Sequence, residues 1–263
     1  MQISGSTILL TGATGGLGHA IARALHQRGG KLILTGRRTD VLEPLAAEVN
    51  GRALAIDLSD PAEVDRLVAE AGEVDILVAN AALPANGTLE SFTMEEIDRA
   101  LAVNLRAPIA LAHALVPAMV KRGNGHLSFM SSLNGKAATP QTSIYNATKF
   151  GLRGFASALR ADLRGNGVEV SAVFPGFIRE AGMFADTGVK LPPGVGTRSP
   201  QDVARAVISA IERNRAEVDV APLAVRLGSA FAGIAPELAA AVSRKLGANK
   251  IAGDLAVGNA AKR

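Results

Sequence analysis

Residues 6–25 read STILLTGATGGLGHAIARAL, and the fold turns on this stretch. Thr7–Thr11 is short, apolar and bounded by glycine, the mark of a buried strand. Gly12, Gly15, Gly16 and Gly18 follow, and from Leu17 to Gln27 apolar residues recur at helical spacing. The pattern from Thr11 to Gly18 is TGxxxGxG. It differs from GxGxxG, and no Lys-Ser or Lys-Thr follows to make a P-loop.

The same alternation runs along the chain. Further strands are expected at KLILTG (31–36), RALAID (52–57), VDILVAN (74–80), GHLSFMSS (125–132), VEVSAVFPG (168–176) and Glu217–Val220. Helical spacing separates them, as in Val41–Val49, Pro61–Ala71 and Gln201–Arg213. Thr93 and Glu96 form a capping box that opens a helix towards Arg122, with Pro108 and Pro117 as expected kinks. Parallel strands need crossovers, so this rhythm predicts a doubly wound parallel sheet, Rossmann-like, in a three-layer α/β/α single domain over 1–263. Residues 176–200 are rich in glycine and proline and read as a substrate loop.

The chain has 263 residues, of which 48% are hydrophobic and 20% charged, enough for a sizeable core. It has no cysteine, which excludes disulfides and thiolate metal sites. The four histidines, His19, His26, His113 and His126, form no ligand cluster, so no metal site is expected. The net charge of +4 resides mostly in 243–263, where Arg244, Lys245, Lys250, Lys262 and Arg263 face only Asp254. That segment reads as a basic, solvated tail; the sharper alternative is contact with an anionic surface. With no basic stripe on the body, no nucleic-acid partner is expected. No signal peptide or membrane span is read, and a cytoplasmic location is expected.

A dinucleotide needs what the first stretch offers. One glycine makes the turn, another lets backbone approach a pyrophosphate, another lets helix pack on strand, and the helix N-terminus supplies free N–H groups. Gly12, Thr14, Gly16, Leu17 and Gly18 are therefore candidate cofactor contacts; the competing reading is a plain tight turn. After the second strand the chain carries Gly36, Arg37 and Arg38 instead of a carboxylate. Arginine suits a ribose 2′-phosphate, which favours NADP(H) over NAD(H), although NAD(H) is also accommodated. The alternative is a solvated arginine pair. Asp57, with the Leu58 backbone, suits adenine or a helix cap. Asn80 suits the ribose region or a turn.

Tyr145 is the only tyrosine, and Lys149 stands one helical turn after it. Ser132 closes the strand GHLSFMSS, at the sheet edge where ligands bind. Asn104 lies mid-helix, where asparagine is a poor helix former.

With TGATGGLG, DLS (57–59), NAA (80–82), Asn104, Ser132, YNATK (145–149) and the PG of 175–176 in place, the sequence resembles the short-chain dehydrogenase/reductase family up to about Pro222. The resemblance implies an NAD(P)-dependent oxidoreductase that interconverts a carbonyl and an alcohol. It implies a tetrad of Asn104, Ser132, Tyr145 and Lys149. Tyr145 would be the general acid/base, Ser132 would steady the carbonyl oxygen, and Asn104 would hold a water that relays protons through Lys149. Tyr145 and Lys149 would also touch the cofactor, as would Gly176 and the Ile178 backbone. A free tyrosine titrates near pH 10, so work near pH 7 calls for a neighbour such as the Lys149 ammonium that favours the anion. Homodimers or homotetramers built on the helices near 93–122 and 143–164 are implied. Leu133, Asn134, Phe177, Met183 and Phe184 are expected to line a pocket for an apolar substrate. The chain departs from the family in two places: Glu180 stands where threonine is usual, and the turn at 79–83 reads ANAAL. The rival reading is a non-catalytic NADP(H)-binding regulatory protein, which would have no use for a proton donor.

Overall fold

The computed structural model describes residues 1–191, 195–245 and 248–259. Pro192, Pro193 and Gly194 of the expected substrate loop, and residues 246, 247 and 260–263 of the expected tail, lie outside them.

Seven strands form one parallel sheet: β1 (Thr7–Thr11), β2 (Lys31–Gly36), β3 (Arg52–Ala55), β4 (Ile76–Ala79), β5 (Gly125–Met130), β6 (Val168–Pro175) and β7 (Glu217–Val220). Their order is β3-β2-β1-β4-β5-β6-β7, so the winding reverses between β1 and β4. A crevice opens beyond the strand ends at such a reversal. Leu9 sits between Ile33 and Leu77 in register, and Leu10 between Leu34 and Val78. Side chains alternate faces along a strand, so these two rows enter two separate cores.

The helices α1 (Gly16–Gln27), α2 (Thr39–Glu48), α3 (Pro61–Ala71), α4 (Met94–Leu101), α5 (Ala107–Arg122), α6 (Ser143–Asp162) and α7 (Pro200–Glu212) cover both faces. Leu9, Ile33 and Leu77 pack with α3, α5 and α6. Leu10, Leu34 and Val78 pack with α1, α2 and α7. Each fully buried leucine or isoleucine contributes about 1.5–3 kcal/mol. Because both faces are covered, strands such as β4 are buried at every position.

The expected helix from Thr93 to Arg122 opens with the capping box, but the break does not fall at the prolines. Residues Ala102–Arg106 form a π turn, and Pro108 lies in the first turn of α5, where its missing N–H costs nothing. The run 94–122 is long and apolar enough to cross a membrane by length and composition alone. Here Leu111, Leu115 and Met119 of that run belong to the core of the domain.

The C-terminal segment corrects the reading of a solvated tail. Beyond β7 the chain forms α8 (Leu223–Ile234), α9 (Pro236–Lys245) and α10 (Ala248–Asn259). The α10 helix packs on the 3-10 turn at Ala185–Thr187, so tightly that a side chain at Gly258 would meet Thr187 Cβ at 2.7 Å. Its buried apolar residues are Ala252 and Ala256, a weak periodic signal in sequence.

Candidate active site

The glycine turn begins where β1 ends. Gly12 has φ 65°, and a Cβ there would lie 2.7 Å from Ala81 Cα; both facts exclude a larger residue. At Gly18 a Cβ would lie 2.2 Å from the Gly12 carbonyl oxygen, so this glycine lets α1 close onto the turn. No side chain caps the α1 N-terminus, which leaves its N–H groups available to an anion. Thr11 Oγ1 accepts from the Asn80 and Ala81 amides at 3.0 and 3.1 Å.

Asn80 fills the turn role read as the alternative to a ribose contact, and it also borders the cavity. Its amide donates to the Thr11 and Gly12 carbonyls at 3.1 and 3.2 Å, so its N–H groups brace the glycine turn. Arg38 donates to the Thr14 carbonyl. The Arg37 guanidinium lies 3.9 Å from Asp57, and both arginines border the cavity. Partial burial works against the Asp57 carboxylate, but the Ser59 amide and hydroxyl, at 2.9 and 2.7 Å, and Arg37 hold it below its ordinary range. Asp57 thus holds the turn after β3 while Leu58 lines the cavity beside it.

Lys149 is 1% exposed, and its ammonium donates to the Met130 carbonyl at 2.9 Å. It lies 5.5 Å from the centre of the Tyr145 ring. Burial pushes the Tyr145 phenol up to about 12, opposed by a hydrogen bond with Ser132. Burial also brings Lys149 down to about 8. Ser132 Oγ accepts from the Asn134 amide at 3.2 Å and donates to the Pro175 carbonyl at 3.3 Å.

Asn104 is buried in the π turn. Its Oδ1 accepts from Leu83 N–H at 2.7 Å, and its Nδ2 donates to Leu83 C=O at 2.9 Å. The side chain therefore fixes the ANAAL turn.

Gly176 fits closely between Ala221 and Leu133, both 3.1 Å from where a Cβ would lie. Ile178 pairs with Arg198, and the bonds of that bridge come from Phe177 C=O and Arg179 N–H. The Ile178 amide and carbonyl therefore turn the other way, and Ile178 borders the cavity. Glu180 sits at φ 74°, a costly backbone for glutamate, with its carboxylate 2.8 Å from Arg179. At Gly16 a Cβ would lie 2.3 Å from Ala181 Cβ, so the loop rests on the glycine turn.

Apart from Thr11, Ser59, Asn104, Arg179, Arg198 and Ala221, these groups border one cavity of about 1590 Å³. Leu133, Asn134, Phe177, Met183 and Phe184 line it as expected, with the Phe177 and Phe184 rings 5.0 Å apart. A glycine cradle, an uncapped helix end, two arginines and a free backbone edge fit a nicotinamide dinucleotide.

Known proteins agree with this geometry. The family model for short chain dehydrogenases matches residues 6–190. The chain belongs to the short-chain dehydrogenase/reductase family. It is 37% identical over 227 residues to the ketoacyl reductase HetN of Nostoc sp., covering 83% of this chain and 79% of that protein. It is 32% identical to a dehydrogenase/reductase SDR family protein 7-like of Drosophila melanogaster, covering 90% and 79%. Among solved structures, a short-chain dehydrogenase from Sphingobium yanoikuyae in complex with NADPH is 29% identical. It superposes with a TM-score of 0.77 over 89% of this chain and 94% of that one. This short-chain dehydrogenase is thus an NAD(P)-dependent oxidoreductase.

Sequence reasoning missed several positions in this family member. Met130 offers only a backbone carbonyl, which no residue type signals. Ser131 donates to the Lys149 carbonyl at 3.0 Å. Thr139, Thr142 and Asn146 join Asn134 in a polar network at the start of α6. Val225, Ser229, Ala232, Ile251 and Leu255 bring α8 and α10 into the cavity wall. Only the amphipathic spacing of α8 and α10 could have suggested these last.

Proposed function

We propose that the enzyme reduces an apolar ketone or aldehyde, or oxidises the corresponding secondary or primary alcohol, with NADP(H) preferred. It acts in the cytoplasm as a homodimer or homotetramer. The observation that carries this reading is the meeting of Ser132, Tyr145 and Lys149 at one cavity wall beside the glycine turn.

When bound, a nicotinamide would supply or accept the hydride. Tyr145 keeps its proton at neutral pH, because burial holds the phenol near 12, and gives that proton to the carbonyl oxygen. Ser132 exchanges its 3.3 Å bond to Pro175 for one to the same oxygen, and so stabilises the charge that develops there. Lys149, anchored on Met130, holds a positive charge near the phenolate that Tyr145 becomes. Arg37 and Arg38 would hold the 2′-phosphate.

The test is a titration with NADPH and NADH followed by nicotinamide emission, which no tryptophan disturbs. NADPH is expected to bind about tenfold or more tightly than NADH. Replacing Arg37 and Arg38 together by Ala should remove that difference, since charge-assisted hydrogen bonds are worth about 1.5–3 kcal/mol. A preference for NADH would overturn the choice of cofactor. Binding of neither, by folded protein, would overturn the catalytic reading.

A further inference from the structure

The helix α8 has two apolar sides. Val225, Gly228 and Ala232 border the cavity. Leu223, Leu227, Phe231 and Ile234 fall within about 80° of arc on the opposite side, at 3.6 residues per turn, and are between 44% and 85% exposed. No carboxylate stands on α8, and its one charged residue is Arg226. Apart from Arg226, the exposed residues of α8 are leucine, alanine, glycine, phenylalanine and isoleucine. The α9 helix, which packs on α8, exposes Leu238 and Val242 one turn apart. Soluble monomers rarely leave so continuous an apolar face in water.

A protein–protein interface carries about one hydrogen bond per 100–200 Å². The exposed side of α8 offers one hydrogen-bonding side chain, Arg226, whereas the acyl region of a bilayer asks for none. The surrounding charge has one sign. Residues 221–263 hold six cationic side chains against Glu237 and Asp254, an excess equal to the net +4 of the whole chain. Beside Ile234, the cations Lys136, Arg153 and Arg226 border a second cavity of about 350 Å³. There, among the described residues, three cations meet two carboxylates, Asp219 and Glu217. A second copy of the chain has another face to use: Met94, Leu101 and Phe150 are exposed on α4 and α6, where the oligomer is expected.

We propose that α8 docks on an anionic lipid bilayer, with Leu223, Leu227, Phe231 and Ile234 among the acyl chains and Arg226 at the level of the phosphates. A helix of 12 residues is too short to cross hydrocarbon about 30 Å thick, so it lies in the interface. The other side of the same helix walls the cavity, which sets the bilayer next to the site. On the carbonyl reductase reading, an apolar substrate then reaches the cavity from the lipid and not from water.

The test is flotation of the full chain with phosphatidylcholine vesicles, with and without about one-third phosphatidylglycerol. The anionic vesicles should bind it about tenfold or more tightly than the neutral ones. Leu227→Ser combined with Ile234→Ser should weaken that binding about tenfold or more, and unchanged NADPH affinity shows that this variant is folded. The chain has no tryptophan, so Leu227→Trp gives a single reporter. Its emission should shift to the blue with anionic vesicles, while that of Met94→Trp on α4 should not. Absence of binding, equal binding to both vesicles, binding that the double variant retains, or an equal shift at both tryptophans would overturn the proposal. So would a dimer that forms without vesicles and that the double variant disperses, which would assign the face to a second copy. Turnover of a long-chain methyl ketone should rise with anionic vesicles in the wild type and not in the double variant; no rise would overturn delivery from the lipid. Vesicle binding without turnover of any ketone would retain the docking face and sink the reductase reading. Turnover without vesicle binding would do the reverse.

Discussion

In the proposed reaction Tyr145 uses its hydroxyl for chemistry and not for holding the fold, and this separates it from its neighbours. Tyr145→Phe should lower kcat by about a hundredfold to ten-thousandfold and leave NADPH affinity nearly unchanged. A variant retaining most of its activity would remove the assignment. In the proposed reaction Lys149 acts through its charge, and burial brings its pKa down to about 8. Below that pH the ammonium persists; above it the charge is lost. The kcat/KM for carbonyl reduction should therefore be level at neutral pH and fall above about pH 8, as a profile of initial rates would record. A rate level to pH 10 would contradict the role given to the charge. At this scale the residue motifs pointed to Ser132, Tyr145 and Lys149, and these three meet at one cavity wall. Hydrogen-bond partners were not legible. Asn104 was expected to hold a water with its side chain, yet that side chain is committed to Leu83, and only the folded turn brings residues 83 and 104 together.

The elements that matter most are the glycine turn and the interrupted helix through 94–122. The turn was readable because positive φ and close backbone approach leave glycine as the residue that fits. The π turn was not readable, since its signal is one asparagine among good helix formers. Asn104→Ala would leave the Leu83 N–H and C=O without their partners. Unfolding in urea should show a loss of about 2–4 kcal/mol, from two buried hydrogen bonds. A loss below about 0.5 kcal/mol would mean that the turn at 79–83 does not depend on them. The prolines misled the reading for a simple reason. Pro108 lies in a first turn, where proline is favoured, and a kink was expected where the structure has a helix start.

The whole molecule adds a dependence on pH that no single element carries. His126 on β5 is fully covered by the sheet and its helices, with Nε2 3.0 Å from Ser171 Oγ. Burial, followed by the charges of the N-terminus and Arg160, lowers its pKa to about 3. An unfolded histidine titrates near 6.5, so between these values the unfolded chain binds a proton that the native chain refuses. The stabilisation is complete above about pH 6.5 and is lost as pH falls towards 3, by at most about 1.4 kcal/mol per pH unit. Urea midpoints measured from pH 7 to 4 should fall more steeply for the wild type than for His126→Gln. Identical slopes would exclude His126 as the cause. By itself the sequence determined the alternation of strands and helices, the glycine turn, the Tyr145–Lys149 pair and Ser132, because backbone periodicity, steric limits and reactive groups are written in local residue order. Only the tertiary structure decided what covers the site. Of the segment 243–263 read as a basic tail, 243–245 close α9 and 248–259 form α10, and α8–α10 form a cavity wall with Ser229 and Asn259 in it. That outcome depends on contacts between distant segments, where small residues on α10 meet the turn at Ala185–Thr187, and no local pattern encodes such a meeting.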